Sequence, residues 1–209
     1  MRTAVLFEPE ELLFDTLALR SRALYETLTN AGVTVDRTAV TRAHEGVPAL
    51  VAIAVLSVAD RLDETDVELV LRRATDHFRA AISTGLPVFD PGAAHAIAQL
   101  AREFSIGVVT RGARVDAQLM LEYAGLEHCV SVIRSIESAN AVQQPGVWSD
   151  AMTSLRAERG LALVPSGLVA GARAAGLETP SLGGCASWHA LAHANGISVD
   201  RFFKPQPST

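Results

Sequence analysis

Hydrophobic positions follow two periods along this chain, and each period predicts a different kind of element. Residues 3–7 are a short apolar and β-branched run, which is typical of a strand. From residue 15 to 31 the apolar positions recur near every 3.6 residues, which predicts a helix. Helical patterning continues from about 36 to 84, and a long amphipathic helix is predicted to begin at residues 62–64. A break at residues 85–87 ends this helical block.

After that break, strand and helix patterns alternate with short connections. The predicted strands are 106–110, 130–133 and 161–164, and the predicted helices are 91–104, 114–123, 147–159, 168–175 and 187–194. This alternation is typical of a parallel sheet covered by helices on both faces. The first strand is separated from its partners by the helical block, which we therefore interpret as an inserted cap.

Composition narrows the class of protein. A length of 209 residues indicates one domain, or a core with a small inserted domain, and 49% hydrophobic with 20% charged residues indicates a globular protein. A net charge of −5 gives no basic surface for nucleic acid, and no apolar run is long enough to span a membrane. The apolar N-terminal run breaks at Glu8, unlike a signal peptide, and two cysteines form no disulfide framework, so we expect a cytoplasmic protein.

Polar residues follow several of the predicted strands where each strand ends. Glu8 and Glu10 follow the first strand, Thr110 and Arg111 end the second, and Ser166 follows the strand at 161–164. In an open α/β sheet, ligands bind beyond the carboxyl ends of the strands. We therefore expect these side chains to converge from distant parts of the chain.

The order of these segments resembles the haloacid dehalogenase-like (HAD) superfamily, in the branch with a small helical cap that includes phosphoglycolate phosphatase-like and β-phosphoglucomutase-like enzymes. Residues 4–16, AVLFEPEELLFDT, resemble the family's first motif, an apolar strand followed by D-x-D-G-x-L-x-D-T/S. Residues 107–111 and 163–177 resemble its second and fourth motifs. The resemblance implies an α/β fold, with a HAD-like Rossmannoid core and parallel sheet at 1–15 and 87–209 and an inserted helical cap at 16–86.

The first motif departs from the family pattern at its catalytic positions. The resemblance implies that Glu8 stands at the nucleophile position and Glu10 at the general acid/base position, where the family has aspartates. Glu11 replaces a glycine. Each glutamate adds a methylene group, and a misplacement of about an ångström can lower a rate about a hundredfold.

The family's cation and metal ligands are also missing. Gln144 stands at the position of the family's lysine, and Lys204, the only lysine, lies elsewhere. The family uses Mg²⁺, but no Asp or Glu lies between Glu158 and Glu178, where the fourth motif would supply its ligands. We therefore predict no metal and no cofactor.

The remaining binding positions would hold a small anionic ligand. Thr110 matches the family's phosphate-binding hydroxyl, and Arg111, Gln144 and Ser166 are the other candidate substrate-binding residues. Arg111 either lines the pocket or pairs with Glu8 or Glu10 in a bridge that neutralises the site. Neither nucleic acid nor membrane is expected as a partner, and the sequence is compatible with a homodimer.

Three functions stay open. The first is a HAD-like pseudoenzyme that has lost Mg²⁺-dependent phosphohydrolase activity and binds a small anion or a partner between cap and core. The second is an active, metal-independent hydrolase, a dehalogenase or phosphatase using Glu8. The third is a structural or interaction protein without a ligand.

Several polar residues also have purely structural interpretations. Glu8, Glu10 and Glu11 could form a solvated acidic turn, although a buried carboxylate pair could instead share a proton. Arg42, His44 and Glu45 have the pattern of a solvated helix end, and Asp15 precedes a helix in the manner of an N-cap.

Overall fold

The computed structural model describes residues 2–10, 12–44, 62–84, 88–136 and 144–180. Its strands are β1 (Thr3–Phe7), β2 (Phe14–Asp15), β3 (Val88–Phe89), β4 (Ser105–Thr110), β5 (Val130–Ser135) and β6 (Arg159–Leu163). Its helices are α1 (Leu17–Asn30), α2 (Arg37–His44), α3 (Glu64–Ser83), α4 (Pro91–Leu100), α5 (Arg114–Ala124), α6 (Gly146–Ser154) and α7 (Val169–Ala174), with a 3-10 turn at Ser166–Leu168.

Four strands form a parallel sheet in the order β5-β4-β1-β6. At the end of β1, Phe7 pairs with Val108 of β4 on one side and with Leu163 of β6 on the other. The carboxyl ends of these strands therefore lie at the same edge of the sheet. This register places the residues after β1 beside those that end β4.

Helices cover both faces of the sheet, as the alternating pattern predicts. Val5 and Phe7 of β1 belong to one buried apolar cluster, and Ala4 and Leu6 belong to another that contains Trp148 of α6. Successive side chains of a strand point to opposite faces, so the continuous apolar run of β1 fills both clusters. The predicted α/β fold with a parallel sheet is confirmed.

The helical segment has an apolar cluster of its own. Leu24 and Leu28 of α1 pack there with Val40 of α2 and Val70 of α3. Helix α3 begins where the sequence predicts, because the carboxylate of Asp63 accepts a hydrogen bond from the N–H of Asp66 and so caps the helix. Residues 45–61 of the predicted helical block lie outside the described residues. The division of the chain at residues 16 and 86 stays a prediction.

Several predicted boundaries were wrong. The helix predicted at 147–159 ends at Ser154, because Arg156 adopts a left-handed backbone conformation with φ of 51°, and β6 already begins at Arg159. The helix predicted at 91–104 ends at Leu100.

The antiparallel pair of β2 with β3 was not predicted, since strands of two residues carry no periodic signal. The break at 85–87 and the helix predicted at 187–194 lie outside the described residues. No described helix has the length and hydropathy of a membrane span.

Candidate functional site

Glu8 begins the candidate site, directly after β1. Its backbone N–H donates to the carbonyl of Leu163 at 3.2 Å, which extends the pairing with β6, and its side chain is fully buried. The carboxylate reaches across to the end of β4. There Oε2 accepts a hydrogen bond from the N–H of Arg111 at 3.0 Å and lies 3.7 Å from the Nε of the same residue. Oε1 has no hydrogen-bond partner among the described residues.

Burial and charge keep a proton on Glu8. Burial, followed by the negative charge of Glu10, raises the pKa of Glu8, and the guanidinium of Arg111 offsets only part of this effect. The resulting pKa is about 8, against an ordinary value of 4.5. Glu8 is therefore largely protonated at neutral pH.

Glu10, two residues further on, is held by Arg20 of α1. The guanidinium makes two hydrogen bonds to the carboxylate, from Nε to Oε2 at 2.6 Å and from Nη2 to Oε1 at 2.7 Å. The hydroxyl of Thr16 donates to Oε2 at 2.7 Å. Burial alone would raise the pKa of Glu10, but the attraction and hydrogen bonds of Arg20, with the Thr16 bond, outweigh it and lower the pKa. Glu10 is therefore a buried, fully paired carboxylate.

Arg20 is itself surrounded on three sides. Besides Glu10, its Nη2 lies 3.3 Å from Oδ2 of Asp116 in α5, and its guanidinium lies 3.6 Å over the ring of Phe78 in α3. The Nε of Arg79, the next residue of α3, donates to Oδ1 of Asp116 at 2.7 Å. The site is thus a buried network of charges that joins the helical segment to the sheet edge.

The loop after β4 closes tightly on this network. The N–H of Gly112 donates to the hydroxyl of Thr110 at 3.0 Å. A Cβ at position 112 would lie 2.6 Å from Oε1 of Glu10 and 2.8 Å from Nη2 of Arg20. Glycine is therefore the residue that this close approach allows.

The structure brings some of the predicted site residues together and leaves others apart. Thr110 is buried at the end of β4, and the Nε of Arg111 lies 3.7 Å from Oε2 of Glu8. Gln144 is exposed in the segment before α6. Ser166 begins the 3-10 turn after β6, and its side chain lies outside the described part of the chain.

Three structural interpretations were wrong. The acidic turn is not solvated, because Glu8 and Glu10 are 0% and 5% exposed. Of the predicted solvated helix end, Arg42 is exposed in the last turn of α2, but His44 is buried. The Nδ1 of His44 lies 3.2 Å from the carbonyl of Val40, and burial lowers the pKa of His44. Asp15 does not cap α1, since Thr16 occupies the N-cap position and its hydroxyl is bonded to Glu10. Glu11 and Glu45 lie outside the described residues.

Sequence reasoning missed Arg20, Arg79 and Asp116. A signal for Arg20 exists, because it lies one helical turn after Thr16 and one before Leu24, and both neighbours are buried. Arg22, by contrast, lies on the exposed side and pairs with Glu26. For Asp116 and Arg79 the sequence carries no comparable signal, since their 37-residue separation reveals no contact.

The site residues that the structure describes do not fit Mg²⁺. Both oxygens of Glu10 are bonded to Arg20, and Glu8 lies against Arg111. A hard divalent cation needs several anionic oxygens, and a guanidinium beside each carboxylate opposes its binding. No group of three or more His, Cys, Asp or Glu side chains within the described ranges could hold a metal ion.

Comparison with known proteins gives a result at the level of the fold. No protein-family model matches the sequence, and neither does any curated protein. The fold is similar to that of CbbY from Rhodobacter sphaeroides, solved in complex with phosphate, with a TM-score of 0.73, 23% identity, and coverage of 87% of this chain and 88% of that one.

Two further solved structures have a fold similar to that of this chain. A predicted phosphoglycolate phosphatase from Haemophilus somnus matches with a TM-score of 0.71 and 15% identity over 85% of this chain and 84% of the other. A haloacid dehalogenase-like family hydrolase from Streptococcus pneumoniae matches with a TM-score of 0.66 and 18% identity over 85% and 83%. These similarities confirm the α/β fold that the resemblance implies.

Proposed function

We propose that this chain is a HAD-fold protein that has lost Mg²⁺-dependent phosphohydrolase activity and binds a small anion or a partner between its helical cap and its α/β core. One observation carries the proposal. The carboxylate of Glu10, at the family's general acid/base position, is bonded through both oxygens to Arg20 of the same chain. A carboxylate held in this way is stabilised as the anion and is poorly placed to deliver a proton.

The state of Glu8 supports the same proposal. A nucleophilic carboxylate must be ionised, whereas burial keeps the pKa of Glu8 at about 8. With Glu8 neutral, the network holds the anions Glu10 and Asp116 against three guanidinium groups, those of Arg20, Arg79 and Arg111. The guanidinium groups of Arg20 and Arg111 beside the two glutamates oppose a divalent cation as a ligand.

Thr110, Arg111, Gln144 and Ser166 are the residues that we propose for ligand contact. Of these, Thr110 and Arg111 lie beside Glu8 at the end of β4. We place the protein in the cytoplasm, with neither nucleic acid nor membrane as a partner and with a homodimer compatible with the sequence. No metal or cofactor enters this function.

A second candidate is an active, metal-independent hydrolase that uses Glu8. The observation that favours it is the strongly raised pKa of a buried carboxyl at the carboxyl edge of a parallel sheet, because perturbed pKa values cluster at catalytic sites. In that reaction Glu8 would act in its ionised form, with Thr110 and Arg111 stabilising negative charge on the substrate.

Turnover of phosphomonoesters and 2-haloacids, measured with and without Mg²⁺, tests the proposal. The parent protein is compared with Glu8→Gln and with the matched control Glu26→Gln on the exposed side of α1. We expect all three to give the same background. Mg²⁺-dependent turnover that Glu8→Gln abolishes and Glu26→Gln retains would overturn the proposal, and metal-independent turnover with that pattern would establish the second candidate.

Binding is measured separately, as the melting temperature in the presence of inorganic phosphate or a 2-haloacid. A ligand at a hundred times its dissociation constant stabilises the folded state by about 2.7 kcal/mol, which shifts the melting temperature by several degrees. A shift without turnover supports an anion-binding protein. The absence of a shift from every anion tested would leave the partner-binding form of the proposal.

A further inference from the structure

The helical segment and the sheet are joined by a short covalent connection. The chain enters the segment after β2 and leaves it before β3, and these two-residue strands pair with each other, Phe14 with Phe89 and Asp15 with Val88. The rings of Phe14, Phe89 and Tyr123 of α5 pack together with centroids 5.1 to 5.8 Å apart, and both contacts of Tyr123 are edge-to-face. A ribbon of two residue pairs fixes where the segment is attached but supplies little resistance to rotation about it.

Ala23 of α1 and Phe78 and Ile82 of α3 share the buried apolar cluster of the sheet, so apolar packing also joins the segment to the core. Asp116 of α5 adds a polar connection that fixes specific partners. Its carboxylate is 3% exposed and lies between two guanidinium groups, Arg79 of α3 at 2.7 Å and Arg20 of α1 at 3.3 Å. Asp116 lies in the first turn of its helix, where the helix dipole favours negative charge. Two helices of the segment therefore meet the core at one buried carboxylate.

Arg20 extends this connection to the edge of the sheet. It donates two hydrogen bonds to Glu10 after β1, and its guanidinium lies 3.6 Å from the ring centroid of Phe78 in α3. Removal of Asp116 would leave both arginines with fewer partners at the contact between segment and core. Breaking a partly buried ion pair in this way costs much more than breaking an exposed one.

We propose that Arg20, Arg79 and Asp116 form a clasp that holds the helical cap in one orientation against the core and so keeps Arg20 on Glu10. The clasp acts at a distance from any reacting atom, so Asp116 and Arg79 are positioning residues. This inference goes beyond the proposed function, because a clasped cap requires neither the loss of catalysis nor a particular ligand.

A distance measurement between cap and core tests the clasp. Spin labels are placed on cysteines at Arg73 of α3 and Asp150 of α6, both exposed, in a background with Cys129→Ser and Cys185→Ser. Double electron–electron resonance then reports the distribution of distances. We expect one narrow distribution of distances in the parent. In Arg79→Met and Asp116→Asn we expect the fraction of molecules at longer distances to be severalfold larger than in the parent.

The control is Arg72→Met in the same helix α3, which breaks only an exposed pair with Glu68 and should keep the narrow distribution. Arg79 is one third exposed, so Arg79→Met still carries the test if Asp116→Asn does not fold. Narrow distributions in Arg79→Met, or equal broadening in Arg72→Met, would overturn the clasp. Neither result depends on turnover, so this test and the test of the proposed function fail independently.

Discussion

Glu8 and Glu10 are two residues apart in sequence and equally removed from water, yet their surroundings differ. Glu10 has two hydrogen bonds from Arg20 and one from Thr16, and its pKa is lowered. Glu8 accepts a hydrogen bond from the N–H of Arg111, with the guanidinium at 3.7 Å, and its pKa is raised to about 8 although Arg111 and the hydroxyl of Thr110 act to lower it.

The difference lies in how many donors reach each carboxylate. Burial disfavours the charged form of both, and only Glu10 receives enough compensation to stay ionised. The negative charge of Glu10 then raises the pKa of Glu8 further. Two acids that look equivalent in the sequence thus differ in charge. Glu10 is the anion that binds Arg20, and Glu8 is the neutral acid.

Removal of the partner of Glu10 should have the largest effect. Arg20→Met keeps the length of the side chain but leaves Glu10 without its guanidinium and Asp116 with only Arg79. We expect a loss of about 3–5 kcal/mol in the free energy of unfolding, because a buried carboxylate loses its counter-charge. Urea unfolding at pH 7 measures the loss.

Arg22→Met in the same helix is the matched control, since Arg22 makes an exposed pair with Glu26. We expect no measurable change from it. Equal stability of the two variants would show that Arg20 does not hold Glu10. Arg20 would then not explain why the pKa of Glu10 is lowered while that of Glu8 is raised.

The dependence of stability on pH should separate Glu8 from Glu10. The pKa of Glu8 is about 8 in the folded protein, above its ordinary 4.5, so the folded state binds the proton more tightly. The stability that this proton contributes is present below pH 4.5 and is lost as pH rises to about 8. Each pH unit within this window lowers stability by up to about 1.4 kcal/mol.

Glu8→Gln removes the titrating proton and keeps the shape, so its stability should lack this fall. The measurement is the difference between parent and variant in urea unfolding at pH 5, 6, 7 and 8, with Glu26→Gln as a control that follows the parent. A difference that stays constant with pH would mean that Glu8 titrates alike in the folded and unfolded states.

Much of the fold could be predicted from the sequence, because periodicity and burial have the same cause. The apolar run of β1 and the helix start at Asp63 reflect local rules, and both were found. The predicted end of a helix was wrong where a single backbone conformation determines it, as at Arg156. The pairing of β2 with β3 joins residues 73 and 75 positions apart, Asp15 with Val88 and Phe14 with Phe89, and the local pattern gives no sign of it.

The candidate site could be predicted only in outline. Topology alone places Glu8 and Glu10 beside Thr110 and Arg111, since parallel strands end at one edge. The burial of the two glutamates and the partner of Glu10 could not be predicted, because Arg20, Arg79 and Asp116 lie on three helices whose packing decides which charges meet.

The smallest effect tests how closely the β4 loop packs on the Glu10 pair. In Gly112→Ala the new methyl would lie within 2.8 Å of both Glu10 and Arg20, so one of them must move, and we expect a loss of about 1–3 kcal/mol in urea unfolding. Gly146→Ala is the control, because a Cβ there meets nothing within 4 Å and alanine favours helix α6. If Gly112→Ala were as stable as this control, the β4 loop would be free to move away. Glu10 would then be held by Arg20 and Thr16 without close packing from the loop.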